Sequence, residues 1–309
     1  MPRRELEKIA GLQVSTQVPL APLTTFRIGG RAALWLRPMS VAALEKALQV
    51  LERTRPVFRI MGHGSNLLVD DRGVPAVLSL SGLSAISMEK DHLVAGAGAA
   101  LSSLISFCLR RGIGGLEPLC GIPASVGGAV FMNAGANGLQ FLDLVDAVLL
   151  TGPGGSRWVE PSEISPGYRS SSIPKGLVVS ACRIPLKENG SARAHLVRRP
   201  KGKGIEIIRQ VMKKRTRTQP INLPSAGCIF KNPPGDSAGR LLDLSGLKGR
   251  SVGGAAISEK HANFIVNRGG ASFRHVMELM ELAADQVERD FGVRLSPEVV
   301  VWSREEAAL

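Results

Sequence analysis

At 309 residues, 44% of them hydrophobic and with a mean hydropathy of +0.10, the chain is long enough for two or three compact units around sizeable cores. No apolar run approaches the ~18 residues of a membrane-spanning helix, and four cysteines without a CxxC pair make neither a disulfide framework nor a zinc site. The net charge of +13 points to an anionic partner, with nine basic residues against Glu206 in 198–217, "RRPKGKGIEIIRQVMKKRTR".

That stretch carries no aromatics to stack on bases, so most of it reads as a solvated helix face, with one or two side chains for a ligand. The five histidines (63, 92, 195, 261, 275) show no HxxH or HExxH grouping, and no metal is expected. The N-terminal "MPRRELEKIAG" has early charge but no apolar stretch behind it, which is not a secretory signal. The expected location is the cytoplasm.

Residues 24–190 read as a mixed α/β unit. "RPVFRIMG" (55–62), "AVLSLSGL" (76–83) and "HLVAGAGA" (92–99) are strands that run into glycine turns. "LSSLISFCLRRG" (101–112) has the helical period and stops at Gly112, which puts Cys108 in the core. "GGLEPLCGIPASVGGAVFMNAGANG" (114–138) is rich in glycine and alanine yet too apolar for a linker. Strand patterns return in "LDLVDAVLL", "RWVE" and "GLVVSACRI". Composition changes at about 198, which marks a domain boundary. Helices follow from 204, ending before Pro220, from 237, closed by Gly246, and over 272–292, with strands "ANFIVN" (262–267) and, closing the second domain, "EVVVW" (298–302).

Several of these segments can carry chemistry. "IMGHGSNLLV" (60–69) is a strand, a Gly-x-Gly-Ser-Asn turn and an apolar continuation, and successive N–H groups in such a turn form an anion nest. It is not a Rossmann fingerprint, because Leu67 stands where the third glycine belongs, and "GAGAAL" (96–101) fails the same way. Two such turns beside 114–138 point to a dinucleotide held without a Rossmann fold. "PGYRSSSIP" (166–174) holds the only tyrosine, Tyr168, and an arginine, Arg169, suited to a carboxylate. In "PSAGCIFKNP" (224–233), Cys228 precedes Lys231 and Asn232, a polar setting for an anionic substrate. Spacing alone leaves open whether that thiol acts as nucleophile or acid. Glu298 opens an apolar strand after Pro297, where a carboxylate either caps, meets solvent or faces a cleft.

Together the segments resemble the UDP-N-acetylenolpyruvoylglucosamine reductase family. The matching stretches are "TTFRIGG" (24–30), "GHGSNLL" (62–68), "GLEPLCGIPASVGGAVFMNAGANG" (115–138), "GYRSS" (167–171), "SAGCIFKNP" (225–233), "ISEKHANFIVN" (257–267) and "LSPEVVV" (295–301). The resemblance runs from about residue 20 to about 302. It implies an α+β fold: a two-lobed FAD-binding α/β domain of the vanillyl-alcohol-oxidase type over 21–197, after an N-terminal segment 1–20. A C-terminal α/β substrate-binding domain would occupy 198–309.

The resemblance also implies a ping-pong reaction of peptidoglycan precursor synthesis. NADPH reduces FAD, flavin N5 passes hydride to C3 of an enolpyruvyl UDP-sugar, and an acid protonates C2. Arg169 and Glu298 fall at the family's enolate-stabilising arginine and glutamate, and Glu298 must be protonated to donate. Cys228 falls at its proton donor, usually a serine; a thiol is the more acidic group and the more easily oxidised. The turn Gly62, His63, Gly64, Ser65 and Asn66 becomes the pyrophosphate cradle. Gly121, Ile122, Pro123, Ala124, Ser125, Gly127, Gly128 and Asn133 lie against the flavin, and Tyr168, Arg217, Lys231 and Asn232 against the UDP-sugar. A longer branch of the family adds a loop tyrosine over the diphosphate; with Tyr168 alone, this chain resembles the shorter branch. No nucleic acid, membrane or obligate protein partner is expected. Two rivals remain open at this level: an oxygen-using flavoprotein oxidase of the same fold, kept alive by His63 as a possible flavin tether, and a non-catalytic basic anion binder.

Overall fold

The computed structural model describes residues 3–186, 196–200 and 202–303. Lys201 of the basic stretch and His195 lie outside them. The first sheet has the order Leu12–Pro19, Arg31–Pro38, Val74–Ser79, Arg59–Met61; its first pair is antiparallel and the rest parallel. The second is an antiparallel five-stranded sheet, ordered Gly155–Val159, Ala147–Gly152, Val178–Pro185, His92–Gly96, Ile86–Glu89. Helices Val41–Thr54 and Leu101–Arg110 and the short helix Val126–Phe131 share one large core with these sheets. Cys108 is 1% exposed in that core, as its helical phase predicts.

Later in the chain, helix Lys203–Thr218 leads to a third sheet, ordered Ser225–Cys228, Phe264–Asn267, Ala255–Ile257, Ser251–Val252. Helix Phe273–Phe291 packs its apolar face against it. The Ser272 hydroxyl accepts the His275 N–H and Gly292 ends the helix with φ +68°, so both stops are encoded locally. Among the described residues no helix is long and apolar enough to cross a membrane.

Two elements differ from the sequence reading. "LDLVDAVLL" begins as a 3-10 turn, Phe141–Asp143, because the Asp143 carboxylate accepts the Gln140 N–H and Asn133 Oδ1 accepts the Leu142 N–H. "EVVVW" does not close the second domain's sheet. The Glu298 and Val299 N–H groups both go to the Ile229 carbonyl, and the strand proper is Val300–Trp302. It pairs in parallel with Leu67–Val69, in the N-terminal half. The halves also share cores: Phe26, Ile28 and Leu68 join the C-terminal cluster, and Trp302 packs with Leu20, Met61 and Val77.

The segment before helix Lys203–Thr218 is fastened to the N-terminal half. Glu117, 1% exposed, accepts the Gly115 N–H at 2.6 Å and lies 3.2 Å from Arg199 Nε. Arg199 follows the two-residue strand Val197–Arg198, which pairs with Ile113–Gly114. Helix Lys203–Thr218 is thereby brought onto the Glu117–Leu119 turn, just before Cys120 and Gly121.

Candidate active site

The glycine segments converge. A Cβ on Gly62 would lie 2.2 Å from Ser125 Oγ, so the 62–66 turn and the 121–128 segment meet where only a glycine fits. Ser125 caps the short helix by accepting the Gly128 N–H. Gly127 packs against Ala97 of the second glycine turn, and His63 hydrogen-bonds the backbone of Gly98 while burial lowers its pKa. Thr25 braces the first turn from outside, through its N–H to the Gly64 carbonyl and its hydroxyl to the Ser65 carbonyl. The result is a wall of backbone almost without side chains, which fits a flat dinucleotide.

Gly121 has φ +83°, and a Cβ there would meet Arg215 Nε at 2.8 Å and Met212 Sδ at 2.9 Å. The C-terminal turns of helix Lys203–Thr218 therefore lie directly on the glycine wall. Arg215 Nε is buried without a hydrogen-bond partner among the described residues. A guanidinium whose Nε is buried and unpartnered is an opening for an anionic ligand.

Cys228 ends the strand Ser225–Cys228, whose register shifts between Ser225 and Cys228 around Gly227 at φ +80°. Such a bulge re-aims the side chain that follows it, and Cys228 then pairs opposite Phe264. Burial pushes the Cys228 thiol up to about 12; the Glu298 carboxylate adds to this, and Arg169 and Arg215 oppose it. Cys120, beside Gly121, is also raised, first by burial, with Arg215 opposing.

Arg169 Nε lies 3.0 Å from Glu298 Oε1, and both side chains are largely buried, at 25% and 14% exposure. Glu298 is raised by burial, against the pull of Arg169 and Lys231. Arg169 itself has φ +54°, an uncommon backbone for arginine, on a loop held from several sides. Asn133 Nδ2 donates to the Gly167 carbonyl, Ser171 Oγ to the Phe131 carbonyl, and the Gly167 N–H to the Ser170 carbonyl.

Thus Arg169, Cys228 and Glu298, some 130 residues apart at the extremes, form one cluster. Asn133 spends its amide on Gln140 Oε1 and the Gly167 carbonyl, so its side chain props the Arg169 loop. Tyr168 is half exposed, with the Arg169 guanidinium carbon 5.4 Å from its ring centroid. Asn232 Oδ1 accepts the Ala238 N–H at the start of helix Ala238–Leu244, and the Lys231 N–H donates to the Ser296 carbonyl. Arg217 is exposed in the last helical turn. Arg215, which the sequence reading passed over, is the arginine beside Cys228 and Gly121. Helical phase could have found it, since Gly204, Ile208, Met212 and Arg215 fall on one face.

Two sequence profiles match the chain: an FAD binding domain over residues 32–158, and the UDP-N-acetylenolpyruvoylglucosamine reductase C-terminal domain over 219–302. The UDP-N-acetylenolpyruvoylglucosamine reductase of Syntrophotalea carbinolica is 38% identical, over 92% of each chain. Reductase 2 of Symbiobacterium thermophilum is 41% identical over 92% of this chain and 90% of its own. The crystal structure of the Thermus caldophilus enzyme is similar with a TM-score of 0.78 at 37% identity, covering 94% of this chain and 99% of that one.

Proposed function

The chain belongs to the UDP-N-acetylenolpyruvoylglucosamine reductase family, and from that premise we propose how its own residues carry the reaction. The protein is an FAD-dependent oxidoreductase that uses NADPH to reduce UDP-N-acetylglucosamine enolpyruvate to UDP-N-acetylmuramate. When bound, the flavin supplies the hydride that adds to C3 of the enolpyruvyl group.

Arg169 takes the substrate's carboxylate. That carboxylate then competes with Glu298 for the same guanidinium, and a second negative charge at this distance drives the already raised Glu298 towards its protonated form. Protonated, Glu298 donates to the carboxylate oxygen on which charge accumulates as C3 gains hydride. The electron pair delocalised from C2 takes the proton of Cys228 Sγ, leaving a thiolate that solvent reprotonates. With its thiol near 12, Cys228 holds its proton throughout the neutral range, and Arg169 and Arg215 favour the transient thiolate. Arg215 and Lys231 meet the diphosphate, Asn232 Nδ2 and Tyr168 the sugar side, and the turn at 62–66 with the 121–128 wall holds FAD. Four free cysteines accord with a reducing cytoplasm, where we place the reaction.

The observation that carries this reading is the Arg169–Glu298 pair set beside Cys228. Anaerobic stopped-flow spectroscopy tests it. NADPH should bleach the flavin band, and the enolpyruvyl UDP-sugar should restore it. Bleaching that oxygen alone reverses would leave an oxidase of the same fold.

A further inference from the structure

The 62–66 turn does more than face a cofactor. Asn66 Nδ2 donates to the main-chain carbonyl of Glu298 at 3.0 Å, across 232 residues of sequence. The Asn66 carbonyl accepts the Val300 N–H at 2.9 Å, and from there the parallel pairing runs Val300 to Leu67, Val301 to Leu68 and Trp302 to Val69. On its other side, the Glu298 N–H donates at 2.7 Å to the carbonyl of Ile229, the residue after Cys228. Both main-chain polar groups of Glu298 are therefore engaged, one by the residue that follows the thiol and one by the glycine turn. Pro297 precedes it and makes an isolated bridge to Phe230, which removes freedom on the N-terminal side.

We propose that Asn66 is a positioning residue for Glu298: it fixes the Cα from which the carboxyl reaches Arg169 and the substrate carboxylate. The proposal rests on the catalytic reading of Glu298 given above. One neutral amide hydrogen bond adds little to folding, but a misplacement of ~1 Å at a reacting group costs on the order of 10²-fold in rate. A side chain that only ties the two halves together would show the opposite balance, with stability falling and the reaction steps scaling alike.

Asn66→Ala and Asn66→Asp, prepared as FAD-loaded holoenzymes, separate these cases by anaerobic stopped flow. Reoxidation by the enolpyruvyl sugar should fall at least about tenfold further than reduction by NADPH, and its alkaline pH limb, set by Glu298, should move. In a Glu298→Gln background, Asn66→Ala should change reoxidation by less than about threefold, because residues that act through one another are not additive. Equal losses in both half-reactions, or a full Asn66 effect without the Glu298 carboxyl, would overturn the proposal. Loss of FAD from both variants would also overturn it, assigning Asn66 to the cofactor cradle alone. A wild-type holoenzyme that the sugar fails to reoxidise would instead strike at the reaction assignment.

Discussion

The two faces of the candidate site are built by opposite means. The face from the C-terminal half carries Cys228 at a strand end and Glu298 two residues before a strand, on backbones tied to neighbours: Ile229 accepts the Glu298 N–H and itself donates to the Asn263 carbonyl. The face from the N-terminal half carries Arg169 and Gly121 on turns with left-handed backbone, at φ +54° and +83°, propped by side chains such as Asn133. A main chain with both polar groups engaged, as at Glu298, fixes where a proton-donating group starts. Turns with little or no side chain admit a large ligand closely and let a cation follow its carboxylate. Changes to the strand face should therefore strike the rate of the second half-reaction, and changes to the turn face should strike binding.

The largest effect is expected at Cys228. Cys228→Ala should slow reoxidation by ~10²–10⁴, the range for a general acid, and leave NADPH reduction as the faster step. Cys228→Ser, which retains a donor, should recover much of the loss. An alanine variant with near-normal turnover would break the comparison outright, since the acid that protonates C2 would then lie elsewhere. Glu298→Ala comes next, at ~10²–10³ for one lost donor. Glu298→Gln should cost less and carries the pH test. Burial raises the Glu298 carboxyl, and its acid form is the working one, so activity is present below that raised pKa and lost above it. The thiol at about 12 does not titrate in the same window. The alkaline limb of reoxidation should thus flatten in Glu298→Gln, and a limb that survives unchanged would move the titration elsewhere.

How much of this was legible in the sequence divides along the same line. Helix ends at Gly112 and Gly292, the core position of Cys108 and the glycine segments all rest on signals within a few residues, and these could be read directly. The sequence reading passed over the strands Leu12–Pro19 and Arg31–Pro38, although Leu12, Val14 and Val18 alternate with Gln13, Ser15 and Gln17 in the first, a period of two that was there to be read. Helix Val41–Thr54 was missed although Ser40 caps it through the Ala43 N–H and its apolar period is plain, so that signal was present. The Asn66–Glu298 tie and the pairing of Leu67–Val69 with Val300–Trp302 join residues more than 230 positions apart, and nothing local announces them. Arg169, Cys228 and Glu298 were found through motifs that sit in order along the chain; their contact with one another needed the fold.

Asn133→Ala probes the turn face. It removes the donors to Gln140 and the Gly167 carbonyl, which are partly buried, and leaves the buried Leu142 N–H without its acceptor. A cost of ~1–3 kcal/mol in thermal or denaturant unfolding is expected. The loosened Arg169 loop should raise KM for the UDP-sugar by roughly tenfold, with a smaller fall in kcat. If kcat fell as far as in Glu298→Ala with KM unchanged, the turn face would be part of the fixed chemistry and the contrast between the faces would fail.

The smallest expected effect is the sharpest discriminator, because Arg215 and Arg217 differ by two positions and about 200° around the same helix. Arg215 shares a face with Gly204, Ile208 and Met212, and its Nε is buried beside Gly121 without a hydrogen-bond partner among the described residues. Burial lowers its pKa, the two neighbouring thiols oppose this, and a diphosphate would oppose it further. Arg215→Ala should therefore raise KM several-fold, by about 1–2 kcal/mol of lost binding, with little change in kcat. Arg217 stands in solvent, where a screened charge contributes about 0–1 kcal/mol, and Arg217→Ala should change KM by less than about twofold. Measured side by side in low and high salt, the two variants read the helical phase directly. A larger, salt-sensitive effect at Arg217 would mean that the ligand approaches from the outer face of the helix, and Arg215 would then lose its assignment to the diphosphate.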